Sequence, residues 1–185
     1  MLILPISEEI KIKAKQYVDQ YMPFDKVTKY VGSTHARWNT ESNIIGLIGD
    51  LTLNNYMNVP IDTFLKLKAK YKTDNGIDIV IKDKNYDIKT TCVKDFYAVT
   101  KKHLFENKLT FGYIFNYLLT DYSELHVMGY ITSYEIKEKA TFHAKGSYKR
   151  PGFYYKEDDY EIHPKYLHNI EELLDKDKKG LQNFY

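Results

Sequence analysis

Cysteine is nearly missing from this 185-residue chain, Cys92 being the only one. No internal disulfide can form, and a zinc site built on cysteines is excluded. That usage fits a reducing, cytoplasmic setting. Long apolar runs are missing as well. The opening segment Met1–Ser7 is too short for a signal peptide and lacks a basic leader, and no stretch approaches the length needed to span a bilayer. Net charge is small: 27 Lys and Arg stand against 25 Asp and Glu, leaving +2. The whole molecule is therefore no polycation, and any nucleic-acid surface has to come from local clusters. No internal repeat or low-complexity linker interrupts the chain. The length suits a single domain with a real core.

What is present falls into a readable order. Ser7 is placed to cap a helix whose first turn carries Glu8 and Glu9. Ile10, Ala14, Tyr17, Val18 and Tyr21 keep helical spacing, and Pro23 ends the run. Residues 24–40 read as irregular. A second helix is expected from Thr40 or Ser42, with Ile44, Ile45, Leu47, Ile48 and Leu51 as its buried stripe, Asp50 just after Gly49, and an end before Pro60. Leu65 to Lys72 alternates apolar residues with lysines, which predicts a strand with one lysine-bearing face. That face reads first as solvated and second as phosphate-contacting. Residues 77–81 and 86–93 read as strands around an Asp83–Asn85 turn, and 95–108 as a short helix. Residues 111–119 and 126–132 read as two more strands, followed by a short helix over 134–139 capped by Ser133. A basic loop over 140–152, a strand at 153–155, a last helix at 164–174 and a loose charged tail complete the chain. The order implies an α/β sandwich, with helices flanking a central mixed sheet. Its core spans about 40–132, and its C-terminal elaboration about 133–185.

The informative segment is Gly76-Ile77-Asp78-Ile79-Val80-Ile81-Lys82-Asp83-Lys84-Asn85-Tyr86-Asp87-Ile88-Lys89-Thr90. Asp87 and Lys89 project from the same face of a strand while Ile88 anchors it in the core. Ile77, Ile79 and Ile81 face the core, and Asp78 faces away. Whether the acids meet depends on the hairpin register. A Lys84-Asn85 loop pairs Asp78 with Thr91 and separates the acids by roughly 13 Å, at ~3.3 Å per residue. A four-residue loop over 82–85 sets Asp78 opposite Lys89, with Asp87 as its diagonal neighbour about 7–8 Å away. The second register, in which the acids share one cation, is the expectation.

An Asp, then nine residues on an Asp, one residue and a Lys is the pattern Asp78, Asp87, Lys89. It resembles the D…(D/E)-x-K signature of the PD-(D/E)XK phosphodiesterases, the superfamily of many restriction endonucleases, phage-type exonucleases and Holliday-junction resolvases. Gly46-Leu47-Ile48-Gly49-Asp50 looks like the helix segment that donates a further acid in that superfamily. There the acid is usually Glu, one carbon longer than Asp50, and Ile77 stands where the motif's proline would be. The resemblance covers about residues 40–100. It implies a restriction-endonuclease-like α/β sandwich and a Mg²⁺- or Mn²⁺-dependent nuclease acting on DNA in a bacterial or phage-infected cell. It also implies metal ligation by Asp78, Asp87 and the Ile88 carbonyl, with Asp50 completing the shell directly or through water. Lys89 would orient the attacking water and stabilise developing charge. A lysine among carboxylates stays protonated, so that role is electrostatic rather than basic.

Candidate DNA contacts are Arg37 with His35, Lys101 and Lys102 with His103, and Lys145, Lys149 and Arg150 around Tyr148. Each reads equally as ordinary surface. His163 and His168 read as structural, and Thr90, Thr91 and Cys92 form no nucleophilic triad, having no histidine nearby in sequence. A two-fold homodimer would suit symmetric cutting of both strands. Two competing expectations remain: a non-cleaving nucleic-acid-binding module on the same fold, and an interaction protein with a coincidental motif.

Overall fold

The computed structural model describes residues 1–21, 33–70, 78–93, 98–101, 105–106, 110–150, 153–155 and 158–174. The chain opens with β1 (Leu2–Pro5), a strand that the sequence reading passed over, and α1 (Glu8–Tyr21). Ser7 Oγ accepts the Ile10 N–H at 3.3 Å, as expected of the cap. α2 (Ser33–Tyr56) begins well before Thr40, so residues 33–40 are helical rather than irregular. α3 (Ile61–Lys70) occupies most of the stretch expected to be a lysine-faced strand. Here alternation misled: Phe64 is buried and Lys68 lies one helical turn on, so the period that matters is four, not two. Pro60 and Asp62 at the start of α3 suit a helix N-terminus, and the Phe64 N–H reaches the Pro60 carbonyl at 3.0 Å.

The main sheet has five strands in the order β1-β6-β5-β3-β2, using β2 (Ile79–Ile81), β3 (Lys84–Thr91), β5 (Gly112–Leu118) and β6 (Glu124–Thr132). β3 and β5 run parallel and the other neighbours antiparallel, which makes an α/β architecture with a mixed sheet. Between β3 and β5 the chain contributes β4 (Ala98–Lys101) to a second, three-stranded sheet, in which a strand at Asp159–Ile162 (β10) lies between β4 and one at Thr141–His143 (β7). The short helix expected over 95–108 is therefore replaced, at 98–101, by a strand that pairs with β10 (Asp159–Ile162). β7 (Thr141–His143) and β8 (Tyr148–Arg150) take up much of the expected basic loop, and β8 pairs with β9 (Phe153–Tyr154), which lies in the expected strand 153–155. α4 (Ser133–Lys139) is capped by Thr132 rather than Ser133, because Thr132 and Glu135 close a reciprocal capping box. The expected last helix divides into a 3₁₀ turn (Pro164–Tyr166) and α5 (Ile170–Leu174). The expected charged tail lies outside the described residues.

Alternation along β3 and β5 sorts side chains to two cores. Ile88, Ile114 and Leu118 join Ile10, Ala14 and Val18 of α1, Leu47, Ile48 and Leu51 of α2, and Phe64 of α3. Tyr113 and Phe115 join Phe105, Ile131, Ile136 and Ile162 in a second cluster on the other face. β5 is buried on both faces, which explains its nearly unbroken apolar sequence. Among the described residues no helix is long and apolar enough to cross a membrane.

Candidate active site

The hairpin adopts neither expected register. Ile79 pairs with Tyr86, Val80 with Asn85 and Ile81 with Lys84, so the loop is Lys82-Asp83 alone. Both loop residues have left-handed backbone, φ 51° and 58°. That is the twist a two-residue hairpin needs to match its strands, and it outweighs the polar look of Lys84-Asn85. One step beyond Ile79, this register sets Asp78 beside Asp87, nearer than either expectation allowed.

β2 has three residues and β3 eight, so among the described residues part of the β3 edge has no neighbouring strand. Asp78 completes it. Its Oδ2 accepts the Ile88 N–H at 2.8 Å, and its own N–H reaches the Tyr86 carbonyl at 3.1 Å. Its Oδ1 lies 3.4 Å from Lys68 Nζ on α3. The same ammonium sits 2.9 Å from Asp50 Oδ2 on α2. Lys68 therefore bridges two acids that are only 5% and 7% exposed. Asn54, one turn after Asp50, ties the helix to the strand: its Nδ2 donates to the Asp50 carbonyl at 2.8 Å and to the Asp78 carbonyl at 3.1 Å.

Gly49 explains how α2 comes so close. A Cβ placed there would stand 2.9 Å from Thr90 Cβ and well inside contact of Thr90 Oγ1. Helix and strand meet backbone to side chain at this point, and the next residue, Asp50, is carried down to the sheet edge.

Asp87 is fully buried and forms an ion pair with Lys89, the pair standing in register with Tyr113 and Phe115. By alternation, Asp87 and Lys89 lie across β3 from Ile88 and from Thr90, the residue that meets α2. The site is thus two linked halves: Asp50 and Asp78 about Lys68, and Asp87 with Lys89. They sense one another. Burial pushes the Asp50 carboxyl above its ordinary range; Lys68 opposes this, Asp87 reinforces it and Lys89 opposes it.

Among the described residues no three His, Cys, Asp or Glu side chains are set to hold one ion. The two acids expected to share a cation, Asp78 and Asp87, are set side by side by the hairpin register. Asp50 and Asp78 meet at Lys68, and Asp87 pairs with Lys89. The donor set nonetheless suits a hard cation. Both acids offer carboxylate oxygen, and Mg²⁺ commonly takes one or two protein carboxylates while keeping waters or substrate phosphate in its other positions.

Lys68 and Asn54 are the site residues that sequence reasoning missed. The signal for Lys68 was its place one turn after Phe64 in a helix opened by Pro60, which the Leu-Lys alternation concealed. Of the candidate DNA contacts, Arg37 lies in α2, Lys101 in β4, and Lys149 and Arg150 in β8, but their side chains are not among those described. Lys102 and His103 lie outside the described residues. Lys145 is exposed, and its backbone N–H meets Asp158 Oδ1 at 2.9 Å. His163 Nδ1 accepts the Lys165 N–H at 3.1 Å and His168 Nε2 lies 2.7 Å from Glu135 Oε1, both structural contacts as expected. Comparisons with family models, with curated proteins and with solved structures find no match to this chain.

Proposed function

We propose that this chain is a metal-dependent nuclease of the PD-(D/E)XK type that hydrolyses DNA phosphodiester bonds, on a restriction-endonuclease-like version of its α/β fold. The observation that carries the reading is the assembly, from three separate elements, of Asp50, Asp78, Asp87 and Lys89 at one sheet edge. Burial of three carboxylates among two lysines is costly unless the charges are paired, and such clusters gather at functional sites.

Asp50 and Asp78 would hold Mg²⁺ or Mn²⁺. The bound cation would supply Lewis-acid stabilisation of the phosphate and a more acidic water. Lys89, 30% exposed, offers its ammonium to the scissile phosphate or to the incoming water. Asp87, ion-paired with Lys89, fixes the position of that ammonium. Asp78 also orients β3 through the Ile88 N–H, so the spacing between the two halves is held by backbone. A substrate in the cytoplasm and a two-fold dimer on double-stranded DNA belong to this same proposal.

Calorimetric titration with Mg²⁺ and Mn²⁺ tests the metal half. The wild type is expected to show one site, and Asp78→Asn to lose it while keeping its fold by circular dichroism. Equal binding by the variant would remove Asp78 from the site. A second reading, a DNA-binding module that does not cleave, is favoured by one observation: Lys68 already neutralises Asp50 and Asp78. It predicts salt-sensitive DNA binding without cleavage in any divalent metal.

A further inference from the structure

The Lys68 ammonium lies where a cation is called for, between Asp50 Oδ2 at 2.9 Å and Asp78 Oδ1 at 3.4 Å. We propose that Lys68 is a built-in counter-ion that keeps this position in the metal-free protein and is exchanged for the divalent cation. The inference rests on the reading of Asp50 and Asp78 as metal ligands.

Three observations support exchange over a permanent bridge. The lysine comes from α3, whereas the acids come from α2 and from the residue before β2, so the ammonium can leave without moving either acid's backbone. Its side chain is 23% exposed while the acids are 7% exposed, which gives it a way out to water that they lack. It also has somewhere to go: Lys68 Nζ is already 5.6 Å from the centroid of the Phe64 ring, one turn back on the same helix, within cation–π range. A lysine is a compact charge on a four-carbon stem with rotatable donors, well suited to such a swing.

The arrangement has two consequences. Without a cation the lysine prevents two buried carboxylates from facing each other uncompensated, so the site is folded before metal arrives. With a cation, every binding event has to displace the ammonium, and the apparent affinity is the intrinsic one multiplied by the fraction of molecules in which Lys68 has already withdrawn.

The test is calorimetric binding of Mn²⁺ to wild type, Lys68→Met and Lys68→Arg at one pH, with thermal melts in chelator and in Mn²⁺. Lys68→Met is expected to bind Mn²⁺ about tenfold or more tightly than wild type, as follows if Lys68 is withdrawn in about a tenth of molecules or fewer. It should also melt lower in chelator and recover in Mn²⁺. Lys68→Arg, which keeps the charge, should bind no more tightly than wild type. Unchanged or weaker binding by a folded Lys68→Met would overturn the exchange and leave the metal site standing. If neither wild type nor Lys68→Met binds Mn²⁺ or Mg²⁺, the metal reading itself fails, and the exchange with it.

Discussion

Single residues decide how closely the parts of this site approach. Gly49 has no room for a side chain against Thr90. Gly49→Ala is therefore expected to destabilise the protein by about 1–3 kcal/mol through overpacking, with part of the loss recovered when Thr90→Ala is added. Urea melts of the three variants check this, and an unperturbed Gly49→Ala would mean that the helix does not lie so close. Glu135 offers a second test at this scale. Burial works against its carboxylate, but contacts with Lys139, His168 and Thr132 outweigh burial and bring its pKa down to about 2. A carboxyl depressed in the folded state stabilises above its ordinary range near 4.5, and that contribution is lost as pH falls toward about 2. Glu135→Gln should remove that part of the acid dependence, roughly 1–2 kcal/mol for a cluster open to solvent screening. A wild-type-like acid profile in the variant would refute the assignment.

At the scale of elements, the β2–β3 hairpin fixes the site's geometry. Its two loop residues, Lys82 and Asp83, both carry positive φ, a conformation that costs an L-residue about 1–2 kcal/mol and glycine almost nothing. Asp83→Gly is expected to stabilise by roughly 0.5–1 kcal/mol, the larger entropy lost by glycine offsetting the rest. A fall in melting temperature would argue against the two-residue turn. This hairpin also shows what could be read in the sequence. β-Branched residues around Asp78 and the Asp87-Ile88-Lys89 spacing marked two strands and their acids, but not that both acids are buried. The register was illegible because no Gly or Asn-Gly announced the turn, and a left-handed Lys is unusual in one. α3 was illegible for another reason: its leucines and lysines satisfy period two and period four at once, and only packing of Phe64 and Leu65 against the core chooses between them. Helix α2 was half legible. Its buried stripe over 44–51 is plain, but Ser33–Asn39 carries no comparable apolar pattern.

On the scale of the whole molecule, the mixed sheet brings α2, α3 and β3 to one edge, and that convergence gathers into one candidate site charged residues far apart in sequence. The α/β class was legible from the succession of helical and strand periods. The second sheet was not, because β4, β7 and β10 are three or four residues each, too short for a period to show. The acids were found in the sequence, but their pairings, Asp50 and Asp78 with Lys68 and Asp87 with Lys89, were not.

The most direct measurement is cleavage of supercoiled plasmid and single-stranded DNA in Mg²⁺, in Mn²⁺ and in chelator, by wild type, Asp87→Ala and Lys89→Ala, with folding of each checked by circular dichroism. Metal-dependent cleavage by wild type, reduced at least about a hundredfold in both folded variants, is the predicted result. Cleavage that persists in folded Lys89→Ala, or no cleavage by wild type in either metal, would contradict it.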